Sequence, residues 1–237
     1  MISLLNLNAT PIYEQLRIEE ALLRTETGNY CLINTNAPAA IVMGISGKPE
    51  KLLNLPMIRR DNVPLIKRYS GGGTVYTDEG TLFVSFICNA EDFAFSPYPG
   101  AILEWSERFY DPLFPSLNFH LRENDYVIGK RKIGGNAQYI KKGRWLLHTS
   151  FLWDFSEEKM EYLLLPEKRP SYRGDRAHSD FLSPLSSYFP CKMQWIENLK
   201  TQLSSVFQVQ EIALTDTVEI TARAFRQATN YVNISSD

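Results

Sequence analysis

Two glycine-flanked cations are the residues of this chain best equipped for chemistry. The first lies in Arg68-Tyr69-Ser70-Gly71-Gly72-Gly73-Thr74-Val75, led in by the apolar pair Leu65-Ile66. An apolar lead-in reads as the end of a strand. Three consecutive glycines then let the main chain turn sharply and bare its N–H groups to a ligand, with no side chains in the way. Arg68 sets a permanent cation at the rim, and its bidentate fork suits phosphate. Strand, glycine run and arginine together fit a phosphate or an activated acyl group. Neither G-x-G-x-x-G nor G-x-x-x-x-G-K-[ST] occurs there, so this is not a standard nucleotide loop. Gly44-Ile45-Ser46-Gly47-Lys48-Pro49 fails the second pattern, with Val at 42 and proline where a hydroxyl belongs. Standing alone, a triple glycine is also what an ordinary tight turn looks like.

The second cation is Lys132, in Gly129-Lys130-Arg131-Lys132-Ile133-Gly134-Gly135-Asn136-Ala137-Gln138. Asn124-Asp125 precedes it, and Trp145-Leu146-Leu147-His148-Thr149-Ser150-Phe151 follows. Read singly, the Lys130-Arg131-Lys132 cluster is a solvated hairpin tip, Asn124-Asp125 a turn pair and His148 a structural histidine on a strand. In this order and at these spacings, the segments resemble the lipoate–protein ligase family, within the wider biotin and lipoate ligase fold. That family pairs an Arg-x-x-Gly-Gly-Gly-x-Val turn with an Asn-Asp pair, a Lys-Ile-x-Gly-x-Ala-Gln segment and a His-Gly-Thr-like strand. The resemblance runs from about residue 5 to about residue 210. Tyr172-Arg173 and Arg176-Ala177-His178-Ser179-Asp180 look like the signature of a subgroup, with no role assigned.

The resemblance implies ATP-dependent attachment of lipoate or octanoate, through an acyl-adenylate, to a lysine of an acceptor lipoyl domain. The acceptor would be of the 2-oxoacid dehydrogenase E2 or glycine cleavage H protein type. Such chemistry needs no enzyme nucleophile. It needs charge neutralised, two reacting atoms held together and water kept from the anhydride. By the same resemblance Lys132 is catalytic and contacts the acyl carbonyl and the α-phosphate. A compact ammonium there stabilises charge as the carbonyl becomes tetrahedral. Arg68, Gly71, Gly72, Gly73, Val75, Tyr76, Asn124 and Asp125 are expected to bind ATP and the acyl-adenylate. Asp125 is also the candidate ligand for Mg²⁺, a hard ion that takes oxygen donors. Gly135, Asn136, Ala137 and His148 are expected around the acyl chain, with Val42 as a further wall or a core residue. All of this requires the arginine-led bend and the lysine hairpin to close over one cavity.

Three segments depart from the family pattern. Ile45-Ser46-Gly47-Lys48-Pro49 stands where the family has Arg-x-Gln-Asn. Thr77-Asp78-Glu79-Gly80-Thr81 replaces His-Asp-x-Gly-Asn, and His148-Thr149-Ser150 replaces His-Gly-Thr. Many ligases also carry an accessory C-terminal domain. Its absence here is an expectation, with a separate partner subunit as its replacement. The alternatives are a transferase taking acyl from a carrier protein or a preformed adenylate, biotin ligation, and a non-catalytic acyl-binding protein. A covalent transferase needs an accessible cysteine beside the lysine, and Cys31, Cys88 and Cys191 do not fall at that place.

The elements that must position these residues are mixed. The 237 residues fit one large domain, or one with a small appendage, and 44% apolar content suffices for a core. The resemblance implies a single lipoate-ligase-like catalytic domain over 1–237, with its core at about 5–210 and a short C-terminal strand–helix extension. A net charge of −2 implies no general attraction to nucleic acid. No segment reads as a signal or membrane span. Three widely spaced cysteines favour a reducing cytoplasm. Strands are expected over 2–7, 31–33, 40–44, 81–88 and 207–213, and several, joined by tight turns, over 118–153. Helices are expected from Thr10, as N-cap with Pro11 following, to about Arg24, and at 50–53, 97–114, 156–165, 190–206 and 215–229. A Pro- and Arg-rich loop fills 166–185. The apolar stripe of the first helix runs Ile12, Leu16, Glu19 or Glu20, Leu23, so a carboxylate falls on it. The fold class is α+β, with antiparallel hairpins in the middle.

Overall fold

A computed structural model describes residues 1–165 and 170–234. The strands are β1 (Ile2–Asn8), β2 (Tyr30–Thr35), β3 (Ala40–Met43), β4 (Leu65–Lys67), β5 (Val75–Thr77) and β6 (Thr81–Asn89). They continue with β7 (Phe119–Arg122), β8 (Asp125–Ile128), β9 (Arg131–Lys141), β10 (Arg144–Leu152), β11 (Val209–Ile212) and β12 (Asn230–Tyr231). The helices are α1 (Ile12–Thr25), α2 (Pro49–Leu52), α3 (Leu55–Asp61), α4 (Pro99–Tyr110), α5 (Glu157–Met160), α6 (His178–Phe181), α7 (Lys192–Val206) and α8 (Val218–Ala222). Among the described residues no helix is long and apolar enough to cross a membrane.

Two sheets carry the fold, which is α+β as the sequence implies. The larger has the order β11-β1-β2-β6-β10-β9-β8-β7, parallel at β11-β1-β2 and antiparallel from β2 onward. The smaller has the order β12-β4-β3-β5, with β5 on its edge. β6 lies in the middle of the large sheet and is buried along eight of its nine residues. Its unbroken apolar run follows from burial on both faces. Leu82, Val84, Phe86 and Cys88 point to one side, into an aromatic core closed by α4 and α7. There Phe86 meets Trp105 and Phe109 edge-on, with centroids 5.1 and 5.0 Å away, so Phe86→Ala is expected to cost about 3–5 kcal/mol. Phe83 and Ile87 point to the other side, where α1 and the small sheet cover the face.

Several expected boundaries differ from those observed. α1 begins one residue later than expected: Pro11, not Thr10, holds the cap position, with its carbonyl accepting from Glu14 and Gln15 N–H. The helix expected from 156 stops at Met160, because Tyr162 and Leu164 pair back onto Asn54 and Leu52. The helix expected at 215–229 is only α8, preceded by a 3₁₀ turn. Beyond it the buried Glu20 carboxylate accepts from Ala228 N–H (3.0 Å) and Thr229 N–H (3.1 Å), and the chain goes on to add β12 to β4. Inside the expected Pro- and Arg-rich loop, residues 166–169 lie outside the described residues. The rest folds into a 3₁₀ turn at Ser171–Arg173 and α6.

Candidate functional site

The glycine turn begins where β4 ends. Arg68 folds inward and is only 4% exposed. Its Nη2 donates to the carbonyls of Gly71 (2.7 Å) and Gly73 (2.9 Å), and its Nε to Ser70 Oγ (3.1 Å). Burial lowers its pKa to about 10, which leaves it a cation at neutral pH. Gly72 has φ 104°, and a Cβ there would lie 2.6 Å from Arg68 Nη2, so only glycine fits. Gly71 and Gly73 face open space. With two carbonyls drawn inward, the N–H groups of Gly71, Gly72 and Gly73 donate to no protein group among the described residues. The expectation for Arg68 therefore needs correcting. Its fork is occupied by the turn's own carbonyls, and the groups left for an anion are main-chain amides.

Lys132 is placed by the β8–β9 hairpin. Val127 pairs with Lys132 but Tyr126 with Gly134, so Ile133 is the extra residue of a bulge. Bulges re-aim the side chains beside them. Lys132 Nζ lies 2.8 Å from Asp125 Oδ1, and Asp125 Oδ2 accepts from the Tyr172 hydroxyl at 2.9 Å. A Cβ on Gly135 would stand 2.9 Å from Lys132 Nζ, so the missing side chain is the space the ammonium occupies. Both Asp125 oxygens are thus engaged. Among the described residues no group of three or more His, Cys, Asp or Glu side chains gathers as a metal site. The arrangement does not fit a protein-held Mg²⁺, which needs free, octahedrally disposed oxygens.

Turn and hairpin meet. A Cβ on Gly72 would lie 3.7 Å from the Asn136 carbonyl and 3.8 Å from Ala137 Cβ. Beyond the turn, Thr74, Val75 and Tyr76 line one cavity with Lys132, Gly135 and Ser150. Because β5 is an edge strand, the main-chain groups on its outer edge have no sheet partner among the described residues. The third wall comes from 170–183, which brings Arg173, His178, Phe181 and Leu182. Burial, then the charges of Arg173 and Lys132, lower the His178 pKa to about 4, so the ring is neutral at pH 7.

A family model described as the lipoyl protein ligase A/B catalytic domain matches residues 11–208. The chain belongs to that family. Among relatives, inactive lipoate–protein ligase 2 of Plasmodium falciparum is 30% identical over 73% of this chain and 60% of its own length. Lipoate–protein ligase LplJ of Bacillus subtilis is 25% identical over 77% of this chain, and the match spans 55% of LplJ. The bi-partite lipoate protein ligase of Thermoplasma acidophilum, studied with its E2 lipoyl domain, superposes with TM-score 0.76 at 20% identity. That superposition covers 93% of this chain and 89% of that one. A lipoate–protein ligase A structure bound with ATP gives TM-score 0.76 at 19% identity, covering 93% and 91% of the two chains. At these identities the two structures show the shared lipoate ligase fold.

Within this ligase fold the remaining candidates divide. Asn124 is exposed in the β7–β8 turn, where its carbonyl accepts from Asn136 Nδ2 at 3.1 Å. Strand alternation turns the Asn136 side chain away from Gly135 and Ala137, and its Oδ1 accepts from Thr149 Oγ1 at 2.7 Å. Asn136 therefore contributes its main chain, not its side chain, beneath the turn. Ala137 lies under Gly72, while Val42 packs in the core with Ile66 and Phe83 instead of forming a wall. His148 is paired with Ala137 across β9–β10, and its Nδ1 donates to the fully buried Glu19 at 2.9 Å. Ser85 and Gln15 donate to the same Glu19 oxygen. His148 is therefore the end of a buried polar network behind the turn, and of the four expected acyl-pocket residues only Gly135 lines the cavity. Cys31 and Cys88 sit in the aromatic core, and burial pushes both thiols up.

Sequence reasoning missed two groups. Glu19 carried a signal, a carboxylate on an apolar helical stripe. The Tyr172–His178 stretch was visible as an unassigned Arg/His-rich signature. Nothing in the spacing said that it returns, some 40 residues on, to the lysine hairpin.

Proposed function

We propose that this chain is the catalytic domain of a lipoate–protein ligase that activates lipoate or octanoate with ATP. A carboxylate oxygen of the acid attacks the α-phosphorus, pyrophosphate leaves, and an acyl-adenylate remains. The ε-amine of an acceptor lysine then attacks the acyl carbon. AMP leaves, the amine loses its proton, and an amide forms. The acceptor would be a lipoyl domain of the E2 or H-protein type, in a reducing cytoplasm.

One observation carries this reading. The Lys132 ammonium, held on one side by Asp125, lines the cavity whose opposite wall begins right after the glycine turn. There it would neutralise the charge that develops on the carbonyl and α-phosphate oxygens. The bared amides of Gly71, Gly72 and Gly73 would cradle an anionic group, with Arg68 shaping them from below. The open edge of β5, at Val75 and Tyr76, would offer main-chain hydrogen bonds to a purine. The family membership and the ATP-bound relative support nucleotide binding. The relative named inactive favours a second reading, a domain that holds acyl ligand without turnover.

The experiment mixes the protein with ATP, Mg²⁺ and lipoate or octanoate, reads pyrophosphate, then adds a lipoyl domain and weighs it. Pyrophosphate release and an acylated domain are expected. Acylation only from a carrier thioester or a supplied adenylate would replace the ligase by a transferase. A requirement for a second chain would assign an accessory subunit, and binding without product in any combination would leave the non-catalytic domain.

A further inference from the structure

We propose that Tyr172 is a positioning residue that keeps the catalytic lysine available by occupying one oxygen of Asp125. The proposal rests on the ligase reading of Lys132. Asp125 is 6% exposed, and water does little to satisfy it. Its Oδ1 holds Lys132 Nζ at 2.8 Å, and its Oδ2 accepts from the Tyr172 hydroxyl at 2.9 Å. A buried carboxylate oxygen without a donor is costly. Were the phenol absent, the donor at hand would be Lys132 itself. The carboxylate would then turn both oxygens to the ammonium, leaving it fewer donors for a ligand. Burial and the Asp125 charge raise the phenol's pKa, so it stays a donor across the working range.

The surroundings are built to hold this hydroxyl in place. The Arg122 guanidinium lies over the Tyr172 ring, 4.6 Å from its centroid, and Phe181 packs against it at 5.3 Å. Glu123 Oε1 accepts from Ser171 N–H at 2.8 Å and Ser171 Oγ at 2.6 Å. At the far end, Arg176 Nη1 donates to the Lys130 carbonyl (3.0 Å) and Ser183 N–H to the Lys132 carbonyl (2.9 Å). The arm is therefore stitched to both sides of the hairpin that carries Lys132, and its one side-chain contact with the Lys132–Asp125 pair among these bonds is the phenol.

The test is a double-mutant cycle with Tyr172→Phe and Asp125→Asn. Phenylalanine keeps the ring for Arg122 and Phe181. The first readout needs no substrate: labelling of the Lys132 amine by an amine-reactive ester, scaled to the exposed Lys130. Tyr172→Phe is expected to lower Lys132 labelling about tenfold, the equivalent of one hydrogen bond to a charged group. Asp125→Asn should raise it, and adding Tyr172→Phe should then change nothing further. The second readout is the rate of pyrophosphate release, which should fall about tenfold in Tyr172→Phe with little change in KM for ATP. A residue that merely packs the arm would loosen it when altered, and labelling would rise. A rise, no change, equal factors in both backgrounds, or loss of the fold in Tyr172→Phe each overturns the proposal. If the wild-type protein releases no pyrophosphate, the ligase reading fails while the labelling cycle still decides the role of Tyr172.

Discussion

The glycine turn and the lysine hairpin meet over β9, yet they use their cations in opposite ways. Arg68 faces inward, and its planar fork spans two carbonyls of its own turn. Lys132 keeps 21% of its side chain accessible and gives one contact to Asp125. The difference follows from the groups. A fork with five fixed donors can close a bend onto itself, whereas a single ammonium on a flexible stem can be pinned on one side and still serve a ligand on the other. One cation builds the site and the other is presented by it. The largest predicted effect tests the presented one. Lys132→Ala should lower pyrophosphate release about a thousandfold and leave the protein folded, with a loss of about 1 kcal/mol for the donor that Asp125 Oδ1 gives up. A variant that retains activity would break the contrast.

The building cation should behave the other way round. Arg68→Ala strands the carbonyls of Gly71 and Gly73 and is expected to cost about 3 kcal/mol in denaturant unfolding. Arg68→Lys should recover little of this, since one ammonium cannot reproduce the fork. If Arg68→Ala unfolds like the wild-type protein but no longer binds nucleotide, Arg68 belongs with Lys132 as a ligand-facing charge.

The sequence made the two chemical segments legible because each is local. Glycine runs have few uses, and Lys132 is followed within three residues by the glycine that makes room for it. The central strand β6 and helices α1, α4 and α7 were also legible, since each buries a regular apolar pattern. What could not be read depended on distant partners. Nothing near Arg68 says that its fork will turn inward. Nothing near residue 222 says that Glu20 will capture the N–H groups of Ala228 and Thr229 and end a helix early. The short strand β5 has three residues, too few for a period to show, whereas β4, equally short, was legible only through its apolar pair Leu65-Ile66. Tyr172 reaches Asp125 across 47 positions, a contact that only the assembled sheet creates.

A steric pair sharpens the view of the turn as a built object. A Cβ on Gly44 would stand 2.3 Å from the Gly72 carbonyl oxygen, a main-chain atom that cannot swing aside. Gly44→Ala should therefore push the turn outward and cost about 2 kcal/mol. A Cβ on Gly73 meets nothing within 4 Å. Gly73→Ala should fold normally and weaken only ligand binding, measured by calorimetric titration with ATP. Equal stability losses in the two variants would mean that the turn is held by its own backbone preferences and not by its fit against Gly44.

The smallest effect concerns the third wall. His178 has a folded pKa of about 4 against an ordinary value of 6.5. Burial opposes its charge first, and the Arg173 and Lys132 cations add to that. The unfolded chain therefore binds the proton before the folded one does. The histidine's contribution is fully present above pH 6.5, declines as pH falls from 6.5 towards 4, and changes no further below that. Solvent reaches part of the ring, which discounts the size of the effect. His178→Gln, which cannot take the proton, should unfold with a shallower loss of stability between pH 6.5 and 4 than the wild-type protein does. The carboxylates titrate alike in both and cancel in the difference. Identical slopes would place His178 in water, outside the cavity. The cavity would then have two walls, and the arm's hold on the lysine site would rest on Tyr172 and the main-chain bonds alone.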